Sequence, residues 1–143
     1  MDHVAIMNKS WRLIPKILSG KKTIESRWYL SRRTPWGRIA SGDTVYFKDV
    51  GAPVVAKAAV SKVLQFCDLS PNKVKDIWSK YGDGIGTDNV KSLAKWSLDK
   101  KYCILVFLRT PQLIPSFNIN KTGFGNATAW LTVDNIDQIR VKS

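Results

Sequence analysis

The residues best suited to chemistry lie in one short segment, residues 19–28 (SGKKTIESRW). Side chains alternate between the two faces of a strand, so Thr23, Glu25 and Arg27 are expected on one face. Glu25 is the only glutamate in 143 residues. A structural ion pair with Arg27 is one interpretation. The leading one is a cleft wall, where Glu25 accepts hydrogen bonds from a nucleobase amino group while Lys22 and Arg27 hold phosphate or carbonyl oxygens.

Aromatic and basic residues are mixed in the segment that follows, residues 27–38. Bases of single-stranded nucleic acid stack on aromatic rings while cations follow the backbone. Trp28 is expected in the core, because it lies on a strand, whereas Trp36 stands in a Pro-Gly loop among arginines and is the better exposed stacking ring. The candidate nucleic-acid-binding residues are therefore Lys21, Lys22, Glu25, Arg27, Arg32, Arg33, Trp36 and Arg38.

The remaining tryptophans fall in helix or strand patterns and are assigned to packing: Trp11, Trp78, Trp96 and Trp130.

Charge and length narrow the class of protein. The 23 Lys+Arg against 11 Asp+Glu give a formal net charge of +12, the electrostatic footprint of a protein that neutralises phosphates. RNA or another single-stranded nucleic acid is the expected partner. Residues 1–143 are expected to fold as one domain. The longest apolar run falls far short of the ~20 residues of a membrane span, and no secretion signal opens the sequence, so a cytoplasmic protein without membrane contact is expected.

Metal and cofactor chemistry lack their usual ligands in this sequence. One histidine and two scattered cysteines cannot form a Cys/His zinc cluster or a CxxC redox pair. A Ser-His-Asp triad would have to use His3, close to the chain start. We therefore expect no metal and no organic cofactor. Cys67 and Cys103 are expected to be buried thiols rather than a disulfide.

The pattern of turns and apolar residues predicts an α+β fold, a small mixed β-barrel with flanking helices. Ser10 is expected to cap a first helix running to residue 18, with Pro15 shortening or kinking it. A helical insert covers residues 70–100, beginning at a Ser70-Pro71 cap and broken at Gly82. Prolines confine residues 112–119 to an edge or a loop. Strands are predicted over residues 4–7, 23–30, 44–48, 53–66, 102–109 and 130–133.

Two runs of this sequence resemble the signature of ASCH domains: residues 17–27 (ILSGKKTIESR) and 42–47 (GDTVYF). The valine-rich segment 53–66 and the late Ala-Trp-Leu at 129–131 fit as well. The resemblance covers about two thirds of the chain. It implies a PUA-like β-barrel, whose members mostly bind RNA or modified nucleobases in a cleft beside the first helix and second strand.

The same resemblance supplies an enzymatic alternative. Some ASCH proteins are small amidohydrolases acting on N4-acetylcytidine with a lysine, a threonine nucleophile three residues later and a distant glutamate. Here Lys22 matches the lysine, Glu25 stands at the threonine position, and no second glutamate exists. The leading function is thus RNA binding, with a binding module favoured over an enzyme. One alternative is an acylated-nucleoside amidohydrolase that uses Lys22, with Thr23 or water as nucleophile and Glu25 as base. The other is an adaptor that binds a protein through residues 50–55.

Overall fold

The computed structural model of the protein describes residues 1–88, 90–125 and 128–141. Within these residues, two 3-10 turns, Lys9–Trp11 and Ile136–Gln138, accompany three helices: α1 (Leu13–Leu18), α2 (Pro71–Ile85) and α3 (Val90–Ser97). The strands are β1 (Asp2–Met7), β2 (Ile24–Tyr29), β3 (Thr44–Asp49), β4 (Val54–Phe66), β5 (Tyr102–Phe117) and β6 (Trp130–Val133).

All six strands form one mixed sheet in the order β2-β5-β4-β3-β1-β6. Strands β1 and β3 run parallel, and every other neighbouring pair is antiparallel. The sheet curls into a half-barrel. Its two edges approach each other, so that Arg27 on the edge strand β2 donates to the carbonyl of Ala129, next to the opposite edge strand β6. The predicted α+β class is confirmed, and the curl brings the two sheet edges together at the candidate site.

Helix α1 packs on the sheet through an apolar face. Leu13, Ile14 and Ile17 are buried in a cluster with Phe47 of β3. The prediction that Ser10 caps this helix is wrong: Asn8 caps the 3-10 turn before it, by accepting the Ser10 N–H at 3.0 Å. Pro15 lies in the first turn of the helix, where backbone N–H groups need no helical partner, so it does not disrupt α1.

Helix α2 begins as the sequence predicts and ends later. The Ser70 hydroxyl accepts the Lys73 N–H at 3.3 Å, which confirms the predicted cap. The predicted break at Gly82 is wrong, because the helix continues to Ile85 and ends at Gly86, whose φ of 65° is left-handed. An added Cβ at Gly86 would lie 2.7 Å from the Lys21 carbonyl oxygen. The end of α2 is therefore held tightly against the segment that enters β2.

Strand β5 extends eight residues past the predicted end, from residue 109 to residue 117. It pairs with β2 only over residues 102–107, so its later half, which contains Pro111 and Pro115, has a paired neighbour only on the β4 side. This is the edge geometry that prolines tolerate.

The two cysteines differ from each other in exposure. Cys103 is buried as predicted, but Cys67 is exposed, so the prediction of a buried thiol is wrong there. Both thiols are free, as expected. Among the described residues, no helix is both long and apolar enough to cross a bilayer.

Candidate functional site

A cleft of about 880 Å³ opens where β2 faces the end of β1 and the helical insert. Its floor is residues 25–29 of β2 together with Lys22, and Ile85 closes the floor from the end of α2. Two walls rise beside it. One wall belongs to the end of β1 and the start of α1, and the other belongs to α3. Their lining residues are Ile6, Met7, Asn8, Trp11 and Leu13 on the first and Ser92, Leu93 and Trp96 on the second, with Ala129 beside them.

Lys22 and Glu25 form a buried ion pair in this floor. The Lys22 Nζ lies 3.4 Å from Glu25 Oε1, and the two side chains are 2% and 5% exposed. The same ammonium donates to the carbonyls of Ile24 and Ile85, each at 2.7 Å. Three acceptors match the three hydrogens of the ammonium. Lys22 therefore holds Glu25 and the end of α2 in place, and its nitrogen is fully engaged.

Arg27 links the carboxylate to the opposite edge of the sheet. One Nη lies 3.5 Å from Glu25 Oε2 and donates to the Ile6 carbonyl at 3.4 Å. The other donates to the Ala129 carbonyl at 3.2 Å, while the guanidinium lies 5.1 Å from the Trp130 ring. Its side chain is 14% exposed, so this cation reaches the cleft surface.

Charge and burial set the protonation of the carboxylate. Burial alone would raise the pKa of Glu25, but Lys22 and Arg27 nearby, together with the Ser26 backbone N–H, hold that pKa below its ordinary value. Burial lowers the pKa of Lys22, and the charge of Glu25 opposes this shift. Glu25 is therefore ionised at neutral pH and can only accept hydrogen bonds from a ligand.

Trp28 is buried on the core side of the cleft floor, as predicted. Its ring stacks on Trp78 of α2, with centroids 5.6 Å apart and planes 5° from parallel. The Trp78 indole N–H donates to Ser97 of α3 at 2.8 Å. Strand β2, α2 and α3 are thus joined through two indoles, which positions the α3 wall of the cleft.

The predicted binding residues divide into two groups. Lys22, Glu25 and Arg27 meet in the cleft, whereas the other five do not line it. Four of these five are exposed: Lys21, Arg32, Arg33 and Arg38. The fifth, Trp36, is half-buried. The loop that carries most of them is attached beside the cleft, because the Tyr29 hydroxyl donates to the Thr34 carbonyl at 3.2 Å.

Trp36 was predicted to be exposed, but it is half-buried. Its ring makes an edge-to-face contact with Tyr102, with centroids 5.3 Å apart and planes at 84°, and the Arg32 guanidinium lies 5.7 Å from its ring. These contacts fix the ring on the start of β5.

The exposed ring in the cleft is Trp96, which the sequence analysis assigned to packing. Half of its surface (50%) is exposed, and it lines the α3 wall. Trp11, also assigned to packing, is only half-buried and lines the facing wall. The sequence offered one signal for Trp96, the lysines at positions 95 and 100, which place it on the polar border of its helix. The assignments of Trp78 and Trp130 to packing are confirmed, since both are buried.

Thr23, one of the two nucleophiles considered for the enzymatic alternative, is exposed and does not line the cleft. Its hydroxyl lies beside Gly84 of α2, 3.1 Å from the place that an added Cβ there would take. The structure therefore does not bring Thr23 together with Lys22 and Glu25. Within the described residues, no three His, Cys, Asp or Glu side chains gather as metal ligands.

The fold is similar to solved structures of the ASCH protein from Zymomonas mobilis. That protein superposes with a TM-score of 0.70 at 19% identity, over 96% of this chain and 90% of the other. The chain has the ASCH fold. A tyrosine-to-phenylalanine variant of the Zymomonas protein gives a TM-score of 0.68 at 19% identity, over 96% of this chain and 93% of the other. Its serine-to-alanine variant gives 0.68 at 19% identity, over 96% and 91%.

No protein-family model matches the sequence, and no curated protein is similar enough in sequence to count as a match. The likeness therefore lies in the three-dimensional structure. It confirms the expected small α+β fold, which is the fold of the ASCH protein.

Proposed function

We propose that this protein binds single-stranded RNA and holds one unstacked base, plain or modified, in the cleft. The observation that carries the proposal is the Glu25–Arg27 pair, an ionised carboxylate and an arginine in the floor of an aromatic-lined cleft. The ASCH fold and the net charge of +12 support it. The proposed protein is a single domain over residues 1–143 that acts in the cytoplasm, where its two free thiols stay reduced.

The pair offers one acceptor and one donor to a base edge. Glu25 already accepts from Lys22, Arg27 and the Ser26 backbone, and a carboxylate has about four acceptor positions, so one remains for an amino group. Arg27 keeps N–H donors beyond the contacts described, for a carbonyl or phosphate oxygen. An amino-bearing base is therefore the expected ligand.

The exposed loop cations are proposed to guide the nucleic-acid backbone towards the cleft. No aspartate or glutamate occurs between residues 26 and 42, so Arg32, Arg33 and Arg38 form a locally uncompensated positive surface. Tyr29 lines the cleft and bonds the loop, which keeps this surface next to the cleft. Such cations raise association rates and affinity without reading the base.

The amidohydrolase alternative has weaker support. The hydrogens of the Lys22 ammonium are all donated, and Thr23 lies outside the cleft lining. Thr23 would have to move before it could attack an acyl carbon beside Glu25, so this alternative depends on a water nucleophile with Glu25 as base. Release of acetate from N4-acetylcytidine by the purified protein, lost in Glu25→Gln, would favour the enzyme over the binding module.

The test is a fluorescence-anisotropy titration of labelled single-stranded RNA and duplex DNA at two salt concentrations. Wild type is compared with Arg27→Gln, and the matched control is Arg33→Gln, which removes the same charge from the loop. We expect Arg27→Gln to weaken RNA binding at least tenfold at the higher salt, because phosphate contacts fade there while base contacts persist. Arg33→Gln is expected to reduce mainly the low-salt affinity. Equal, salt-sensitive binding of both nucleic acids by all three proteins would overturn the proposal.

A further inference from the structure

The cleft is larger than one base requires. Sites that enclose a whole drug-sized molecule have volumes of about 300–1,000 Å³, and this cleft, at about 880 Å³, lies near the top of that range. A base held by Glu25 and Arg27 would fill a small part of it. The remaining volume is therefore available to a second part of the ligand.

The charged groups of the cleft are also confined to one region. Glu25, Arg27 and Lys22 all lie in or next to β2, whereas the α3 wall offers only Ser92, Leu93 and Trp96. These three side chains share one helix face, because Trp96 follows Leu93 by three residues and Ser92 by four, the spacings that place side chains on the same face. A ligand that fills the cleft thus meets charged groups at β2 and an apolar, aromatic surface at α3.

Trp96 has the features of a stacking platform. Half of its surface is exposed, although a tryptophan side chain usually buries its large apolar area. The Lys100 Nζ lies 4.5 Å from the centre of its ring. A stacking ring with an adjacent cation is the arrangement that single-strand binders use for a base and its phosphate.

We propose that the cleft takes two consecutive nucleotides, with one base at Glu25 and Arg27 and its neighbour stacked on Trp96. Lys100 then lies near the phosphodiester that joins them. This inference rests on the proposed RNA binding and names its ligand: a single-stranded dinucleotide step rather than a free nucleoside. The helical insert, through α3, becomes the part of the protein that reads the second nucleotide.

The test is isothermal titration with matched ligands that differ by one nucleotide. The probes are the 5′-monophosphates of adenosine, cytidine and guanosine and the 5′-phosphorylated dinucleotide of each. For at least one base, we expect the dinucleotide to bind wild type about 5- to 150-fold more tightly, the gain that one stacked base supplies. Trp96→Ala is expected to reduce this ratio to near one, and Trp96→Phe to restore most of it.

Two lysines of the insert provide the matched charge control. Lys100→Ala is expected to lower the dinucleotide-to-mononucleotide ratio, whereas Lys95→Ala, which removes an exposed charge from α3, leaves it unchanged. Melting temperatures of all variants show whether each protein is folded.

The outcomes separate the two proposals. If wild type binds mononucleotide and dinucleotide equally, and Arg27→Gln weakens both, the single-base cleft is supported and the two-nucleotide inference is overturned. If Trp96→Ala leaves the ratio at its wild-type value, the inference is likewise overturned. If no ligand binds and none competes with longer RNA, the proposed function itself is contradicted.

Discussion

At the scale of single residues, the site depends on a carboxylate whose pKa burial alone would raise. Lys22 is anchored by two backbone carbonyls, so its charge stays close to Glu25, and Arg27 supplies a second cation. A buried carboxylate that keeps its charge is an acceptor fixed in position before a ligand arrives. This preorganisation is what a base-reading site needs.

Substitution of Glu25 should reveal the strength of that arrangement. We expect Glu25→Gln to lower the free energy of unfolding by about 3 kcal/mol near pH 7, because it leaves the buried Lys22 ammonium without its counter-charge. Asp137→Asn is the matched control, because Asp137 is exposed in its pair with Arg140, and such surface pairs contribute about 0–1 kcal/mol. Urea denaturation of the three proteins measures both effects.

The same comparison has a defined pH dependence. The pKa of Glu25 is lower in the folded protein than in the unfolded chain, so its stabilisation is complete above the ordinary glutamate pKa and is lost as pH falls through the folded value. The stability difference between wild type and Glu25→Gln should therefore narrow when urea denaturation is repeated from near pH 7 down to about pH 3. A difference that is constant or grows would show that the folded-state pKa is not lowered.

Sequence reasoning located Glu25 and Arg27 because strand alternation is a local property. The period of two puts Glu25 and Arg27 on one face whatever the sheet around them. It could not locate Trp96 as a cleft residue, because a helical period shows which residues share a face but not which element covers that face. In the structure α3 packs on α2 through Ser97, and Trp96 is left uncovered.

At the scale of elements, the end of α2 sets the position of the site. Gly86 turns the chain in a left-handed conformation, and the Ile85 carbonyl before it accepts from Lys22. Sequence alone favoured Gly82 as the stop, since glycine weakens a helix wherever it stands. Close approach of Gly86 to residues 21–22 depends on the packing of distant segments, which local propensity does not contain.

Gly86→Ala should therefore disturb both stability and binding. The left-handed conformation costs an L-residue about 1–2 kcal/mol, and the Cβ would contact the Lys21 carbonyl, so we expect a larger total loss and weaker RNA binding. Gly82→Ala is the control: its Cβ meets only the Trp78 ring, at 3.8 Å, and it should stabilise the helix by up to about 1 kcal/mol. Thermal unfolding and RNA titration check both; a Gly86→Ala protein indistinguishable from wild type would refute the positioning role.

The link between α2 and α3 is a second device at this scale. Ser97→Ala removes the acceptor of the Trp78 N–H, and an unpaired buried donor costs about 1–3 kcal/mol. We expect faster amide hydrogen exchange throughout α3 and weaker dinucleotide binding. Ser79→Ala, at an exposed position of α2, should change neither. If the amide hydrogens of α3 exchange in Ser97→Ala at the same rates as in wild type, α3 is held by other contacts.

The strands show a similar division between local and distant information. Alternation and apolar runs predicted all six strands, but β5 was predicted too short, since Pro111 and Pro115 argue against a strand unless one of its sides is unpaired. Which side is unpaired depends on how far β2 extends along β5, and β2 lies about 80 residues earlier.

At the scale of the whole molecule, two features act together. One is a curled sheet with a cleft where its two edges come together, and the other is a net charge of +12. Charge alone brings any polyanion to the surface, so affinity for RNA does not by itself identify a binding site. The fold brings the two edges of the sheet together, where Arg27 joins β2 to the residue next to β6, and the helical insert supplies the second wall of the cleft. The proposed function requires that RNA occupies this cleft rather than only the basic loop that carries Arg32, Arg33 and Arg38.

The indole N–H resonances of the tryptophans test that claim most directly. Trp11 and Trp96 line the cleft on its two walls, and Trp36 lies on the basic loop outside it. In a titration of ¹⁵N-labelled protein with a short single-stranded RNA, we expect the Trp11 and Trp96 signals to shift and saturate together, and Arg27→Gln to weaken the response. A shift of Trp36 alone, with Trp11 and Trp96 unchanged at saturation, would contradict RNA binding in the cleft.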